Sequence, residues 1–247
     1  MIARSIGAFG ADLRDFVFPP GCHACDTPLG HRYQPQLCYH CTLSLIDLWY
    51  PQCSTCNEPP LSESCLCKSD PAPYDALFAR ALDDGPAAQL LRHAKDRHQP
   101  EVLRTIAQLM LEDQRVSPWL KRTHAMVAVP STLPNRIRRG FDVGAEIAWH
   151  LSEYTGIPLI QNLLKRRSFE SQRKKPSRED RVRTHAGFKL SSTRLRGVFC
   201  IVDDISVSTQ TVREAALSLR KAGAEGVWVW TFSRRLHTKT TEALTKE

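Results

Sequence analysis

Eight of the nine cysteines fall between Cys22 and Cys67. Cys22-x-x-Cys25 is followed after twelve residues by Cys38-x-x-Cys41. Each pair can turn as a tight knuckle that aims two thiolates at one ion. Two knuckles complete the tetrahedral four-sulfur shell that Zn²⁺ accepts. Cys53-x-x-Cys56 and Cys65-x-Cys67 form a second set, its last pair one residue tighter. Sequential pairing (22, 25, 38, 41, then 53, 56, 65, 67) is the simplest assignment, and interleaved pairing remains open. His23, His31 and His40 lie nearby and are read as surface residues, not ligands. Disulfides are the rival reading of so dense a segment. The first twenty residues show no export signal, which predicts a cytoplasmic, reducing setting where thiolates bind metal. No ligand is missing from the first set, so its zinc is expected to be structural.

A second cluster is the adjacent pair Asp203-Asp204, at the end of the apolar run Val198–Val202. Ser206, Ser208, Thr209, Gln210 and Thr211 follow. Open α/β sheets bind ligands at the carboxyl ends of their strands. Loop amides and a helix N-terminus attract phosphate, and hydroxyls add donors. Neighbouring carboxylates accept hydrogen bonds from vicinal ribose hydroxyls. The parts together suit a ribose 5-phosphate. The plainer reading is a strand end with Asp204 or Ser208 as a helix N-cap. A receiver-type phosphoacceptor pocket would place its acid pair near the start of a domain, whereas this pair comes near the end.

The elements that position these groups read as alternating strands and helices. Strands are expected at Ala76–Leu82, Met126–Val129, Val198–Val202 and Val227–Phe232. Helices are expected from Pro86 to Leu111, divided near Pro100, then over Phe141–Tyr154 and Thr211–Ala222, the last closed by Gly223. A short leading helix is expected over Ile6–Phe18, before Pro19-Pro20. Continuous apolar strands between helices indicate a mainly parallel sheet. The expected organisation is a Cys-rich module over residues 1–70 and an α/β domain over 71–247. The module has few large aliphatics, so metal replaces part of its core.

Composition agrees with this reading. The 247 residues are 42% hydrophobic and 24% charged, which excludes a disordered chain. No apolar run reaches 18 residues, so no membrane span is expected. The net charge is +8, and Lys165–Arg183 supplies most of it with nine bases against three acids. Within that stretch Arg166, Arg167, Arg173, Lys174 and Lys175 are the candidate nucleic-acid contacts. A solvated charged loop is the competing account. Trp228 and Trp230 are expected to pack in the core, and Cys200 to be a small buried hydrophobe.

The order of these motifs resembles the ComF family of competence-associated proteins. The resemblance rests on Phe18-Pro-Pro-Gly-Cys22, the Cys pairs, Val129-Pro130, Arg138-Arg139-Gly140-Phe141 and Val202-Asp203-Asp204. Arg166-Arg167, Ser171-Gln172, Arg181, Gly187-Phe188 and Ala222-Gly223-Ala224 extend it. It implies a zinc ribbon joined to a type I phosphoribosyltransferase-like domain. It also implies a pocket for 5-phosphoribosyl-1-pyrophosphate (PRPP) with Mg²⁺. Asp203 and Asp204 would hold ribose, and Ser206, Ser208, Thr209, Gln210 and Thr211 would form the phosphate loop. Lys95 and Arg139 would face the pyrophosphate end, and the basic stretch would take the place of the mobile loop over the site. Single-stranded DNA and a competence helicase are the implied partners. Two departures stand out. Val207-Ser208-Thr209 replaces Thr-Thr-Gly, and Asp142-Val143 replaces Asn-Gln after Phe141. Thr209 resists the positive φ that Gly permits, so weakened PRPP binding is expected. Turnover as an active phosphoribosyltransferase is the alternative function.

Overall fold

The computed structural model describes residues 19–29, 36–45, 71–166, 187–192, 194–206 and 210–235. The leading helix over Ile6–Phe18 and the second cysteine set lie outside them. Four parallel strands form the main sheet: β1 (Ala76–Leu82), β2 (Thr123–Ala128), β5 (Val198–Ser206) and β6 (Gly226–Arg234), in the order β1-β6-β5-β2. β3 (Leu164–Arg166) and β4 (Phe188–Leu190) form a separate antiparallel hairpin. The α/β class with a parallel sheet is therefore as the apolar runs implied.

Why the sheet is double-sided shows best in β6, whose nine residues are all buried. Trp228 and Trp230 join one apolar cluster, while Val227 and Val229 join the other. The period-two alternation of a strand sends successive side chains to opposite faces. Each face is then covered by helices. α2 (Gly85–Asp96), α3 (Glu101–Leu111) and α6 (Val143–Thr155) supply Leu90, Leu103, Ile106 and Ile147 to the tryptophan face. α7 (Gln210–Lys221) supplies Val212, Ala216 and Leu219 to the valine face. Cys200 pairs in register with Trp228 and is fully buried, which pushes its thiol well above the usual range.

Local signals set the helix ends that matter for the site. α2 starts at Asp84, whose carboxylate accepts from the Gly85 N–H at 2.7 Å, with Pro86 in the first turn. Pro100 separates α2 from α3, as its missing N–H and fixed φ require. α6 starts at Asp142 and ends at Gly156, which takes the left-handed conformation at φ 73°.

Two elements were not legible beforehand. α5 (Leu133–Arg139) leaves Leu133 and Ile137 exposed, so it has no buried stripe to announce it. The strands of the β3–β4 hairpin have three residues each, below the length at which alternation can be read. β5 also runs past Val202 to Ser206, because Ile205 and Ser206 keep their pairing with Ser233 and Arg234 of β6.

The first cysteine loops are not a detached bead. Cys22, Ala24, Leu29, Leu37, Cys41 and Leu45 belong to the same buried cluster as α2 and α3. α1 (Tyr39–Leu43) is a single turn capped by the Cys38 sulfur, which accepts from the Cys41 N–H at 3.4 Å.

The two tryptophans of β6 give a matched test of the core. Their rings stack at 5.7 Å, but Trp228 Nε1 donates to Thr123 Oγ1 at 2.8 Å. Trp230 Nε1 is buried without a hydrogen-bond partner. The two Phe substitutions remove similar volume. Trp228→Phe is expected to destabilise by about 1 kcal/mol more than Trp230→Phe, because only it breaks a buried hydrogen bond. Urea unfolding midpoints of the two variants check this.

Candidate functional site

At the carboxyl end of the sheet, β5 carries Asp203 and Asp204 outward from its buried run. Two adjacent carboxylates in one enclosed place repel, and the strain is resolved unequally. Asp204 Oδ2 lies 2.5 Å from Lys95 Nζ of α2, and both side chains are mostly covered. Asp203 Oδ1 instead accepts from the Asp204 N–H at 2.9 Å. Burial, reinforced by the Asp204 carboxylate, pushes Asp203 well above the usual carboxylate range; Lys95 pulls the other way and does not win. One acid is thus salt-bridged, and its neighbour is held toward the neutral form.

Helix α6 closes one side of this acid pair. Gly144 sits where an added Cβ would lie 3.0 Å from Val129 O and 3.8 Å from Asp203 Oδ1. Glycine is what lets the helix approach so closely. The C-terminal end of α5 lies over the end of α2: His98 Nε2 donates to Arg138 O at 3.1 Å, and Arg138 is 3.9 Å from Asp96. Arg139 is the next residue, and its Nε is buried without a hydrogen-bond partner.

The remaining loop candidates divide. Ser206 is buried at 3% exposure, and its hydroxyl has no hydrogen-bond partner. Gln210 is turned away, its amide donating to Glu214 Oε1 at 2.9 Å. Thr211 lies in the first turn of α7. Ser208 and Thr209 fall outside the described residues. Of the candidate nucleic-acid contacts, Arg166 has its Nε on Pro130 O at 2.6 Å and its guanidinium 5.2 Å over the Phe188 ring. Arg167, Arg173, Lys174 and Lys175 fall outside the described residues.

The charge of Asp142 is accounted for by the backbone. Its carboxylate accepts from the Ser131 N–H at 2.8 Å, the Ser131 hydroxyl at 3.1 Å and the Ala145 N–H at 3.5 Å. It caps α6 and ties the end of β2 to that helix, work that an Asn could share.

The second centre is the cysteine cluster. The sulfurs of Cys22, Cys25, Cys38 and Cys41 all lie within 4.8 Å of one another. A tetrahedral ion with Zn–S bonds of about 2.3 Å sets its sulfurs about 3.8 Å apart. Cys25 and Cys38 are 3.7 Å apart. The donor set therefore fits a four-thiolate Zn²⁺ site. The Thr27 hydroxyl, 3.1 Å from its sulfur, helps hold the Cys25 thiol down at about 6, whereas burial pushes Cys22 and Cys41 up. His23 is not a ligand: its Nδ1 is 2.8 Å from Thr105 Oγ1 on α3.

Comparison with known proteins gives relatives over most of the chain. No protein-family profile matches the chain. Competence protein F of Haemophilus influenzae is 26% identical over 178 residues, 69% of this chain and 77% of its own length. DNA utilization protein YhgH of Salmonella typhimurium is 26% identical over 234 residues, 88% of this chain and 98% of its own. Most of the chain is thus similar to proteins named for competence and for DNA utilisation. YhgH of Escherichia coli K12 is 24% identical over 223 residues, 82% of this chain and 98% of its own. No helix among the described residues is long and apolar enough to cross a membrane.

The contacts that sequence reasoning missed are those between the two centres. His93 of α2 donates through Nδ1 to His23 O at 2.9 Å, and Arg97 lies 2.5 Å from the Asp26 carboxylate. The partners are some seventy residues apart in sequence, so no local pattern marks them. Lys95 was expected to face a ligand or water, and its pairing with Asp204 had no sequence signal either.

Two outcomes follow from this geometry. Removing the metal with a chelator is expected to release the Cys22–Leu29 loop from α2. Amide exchange at His93–Arg97 then rises while β5 and β6 stay protected; unchanged exchange in α2 would separate the metal from the docking. The second concerns pH. The folded chain keeps a proton on Asp203 above the ordinary value of 3.8, where the unfolded chain has lost it. Stability therefore falls as pH rises through that interval. Asp203→Asn is expected to flatten the dependence, leaving the variant more stable than the parent at pH 8 and close to it at pH 4. Denaturation midpoints at the two pH values measure this.

Proposed function

We propose that this chain acts in DNA utilisation as a ComF-type protein whose sheet-end cleft binds a phosphoribosyl ligand of the PRPP type with Mg²⁺. The observation that carries the reading is the convergence of Lys95 on the Asp203–Asp204 pair, from an element more than a hundred residues away in sequence. A cation and an acid pair meet at the strand end where α/β proteins bind phosphorylated sugars. In this reading Asp204 accepts from a ribose hydroxyl, and Asp203, held toward its neutral form, can donate as well as accept. Lys95 moves from Asp204 to the pyrophosphate as the ligand enters. The buried Arg139 Nε and the Ser206 hydroxyl supply further donors. Mg²⁺ would offset the pyrophosphate charge, its ligands coming chiefly from the phosphates themselves.

The ion pair also sets a limit. The ligand must replace a close, mostly covered contact, so affinity is lower than for an open acid pair. With Val207-Ser208-Thr209 in place of Thr-Thr-Gly, binding without turnover is favoured over an active transferase. DNA as the macromolecular partner, taken as a single strand or through a helicase, follows from the names of the relatives. The basic sequence 165–183 supplies the charge that would meet it.

Calorimetric titration of the zinc-loaded chain with PRPP and Mg²⁺ tests the cleft. Saturable binding is expected, lost in Asp204→Asn and weakened on the order of tenfold to a hundredfold in Lys95→Ala, as removal of a charged hydrogen bond implies. No binding at millimolar PRPP, in a chain that retains its zinc, overturns the proposal. Release of pyrophosphate on adding free bases would instead establish the transferase alternative.

A further inference from the structure

The outer face of α6 borders a cavity that neither centre uses. Asp142, Ala145, Glu146 and Trp149 follow at i, i+3, i+4 and i+7 and share that face. Gly144, which meets Asp203, lies on the opposite face. After α6 the chain turns back along β2: Met126 N–H donates to Pro158 O at 2.8 Å, and Ile160 N–H to Met126 O at 2.9 Å. Between that segment and the outer face of α6 is a cavity of about 400 Å³. This is within the range of small-molecule sites.

Its lining is specific in three respects. The floor is aliphatic, from Ala128, Leu159 and Leu164. One wall is the Trp149 ring, 43% exposed on a helix whose Val143, Ile147 and Leu151 are buried. The rim carries Arg136, Glu146, Gln161 and Asn162. Asp142 is already engaged by Ser131 and the α6 N-terminus, with Arg136 Nε 4.0 Å away. The Glu146 carboxylate has no hydrogen-bond or ion-pair partner among the described residues. An unpaired carboxylate in the wall disfavours phosphate and calls for a ligand with N–H donors. An exposed indole face calls for a flat one. The amides and the guanidinium call for acceptors on the same ligand.

We propose that this cavity binds a guanine base. Trp149 stacks on the ring, and Glu146 accepts from the N1–H and the 2-amino group. Donors of Arg136, Gln161 or Asn162 reach O6 and N7, the pairing that guanidinium groups make with guanine. An arginine side chain offers Glu146 the same pair of N–H donors, but it has no acceptor for the opposite rim, so guanine fits better. The base can come from a free nucleoside or from single-stranded DNA, and the chemistry at the cavity is the same.

Calorimetry on the full zinc-loaded chain separates the sources and the rivals. Guanosine is expected to bind saturably, inosine more weakly for want of the 2-amino group, and adenosine not measurably. Glu146→Gln should weaken guanosine at least about tenfold. Trp149→Ala should weaken it by about the same factor, and Trp149→Phe much less, because a ring remains. Asp204→Asn should leave guanosine unaffected, so that failure of the sheet-end reading and failure of this one are told apart. A dT oligonucleotide with one central dG that outcompetes an all-dT strand, with the preference lost in Glu146→Gln, assigns the base to DNA. Binding of guanosine without that preference assigns it to a free nucleoside. The proposal is overturned if neither guanosine nor the dG strand is preferred, if Glu146→Gln changes nothing, or if arginine amide binds as tightly as guanosine.

Discussion

The fold is organised around a repulsion. β5, an inner strand, brings two carboxylates, adjacent in sequence, to the carboxyl end of a buried sheet. Like charges at that separation cannot both be left ionised and unpaired in an environment with little water. The chain resolves this by giving Asp204 the Lys95 ammonium and leaving Asp203 toward its neutral form. That solution demands a helix placed to deliver Lys95, which is why the packing of α2 against the sheet is inseparable from the chemistry of the strand end. A ligand of the proposed kind would have to carry its own negative charge, because Lys95 would need a new partner if Asp204 turned to a sugar.

Much of this was legible in the sequence because burial and periodicity act locally. The runs Val198–Val202 and Val227–Phe232 could be little other than central strands, and Pro100 had to divide two helices. The Cys22, Cys25, Cys38, Cys41 spacing required only short-range turns to gather four sulfurs. What could not be read was set by distant partners. Nothing near Lys95 announces Asp204, and nothing near His93 announces His23. α5 was invisible for a different reason. Its Leu133 and Ile137 remain exposed, so the amphipathic rule that reveals other helices has nothing to detect.

Asp142 shows how a departure from a family pattern can be misjudged from residue type alone. By residue type alone it only replaces a neutral amide with a charge. In the fold it accepts from two backbone N–H groups and the Ser131 hydroxyl, and so fixes the start of α6 against the end of β2. An N-cap carboxylate is stabilised both by those donors and by the positive end of the helix. The residue therefore governs the angle at which Gly144 meets Asp203.

Helix α2 joins the two centres, and the phase of its side chains explains how. His93 and Arg97 are four residues apart, so they lie on one face, and that face receives the Cys22–Asp26 loop. Lys95 lies midway between them, about 200° round the helix, and so points to the opposite side, where Asp204 waits. A rigid four-sulfur knot on one face thus fixes the rotation of the helix that sets the cation on the other. A shift of α2 by a single residue would take His93 from the loop and Lys95 from the acid together. The cysteine loops are therefore structural in a sense wider than their own folding: by holding α2 in phase they keep the acid pair of β5 partly neutralised.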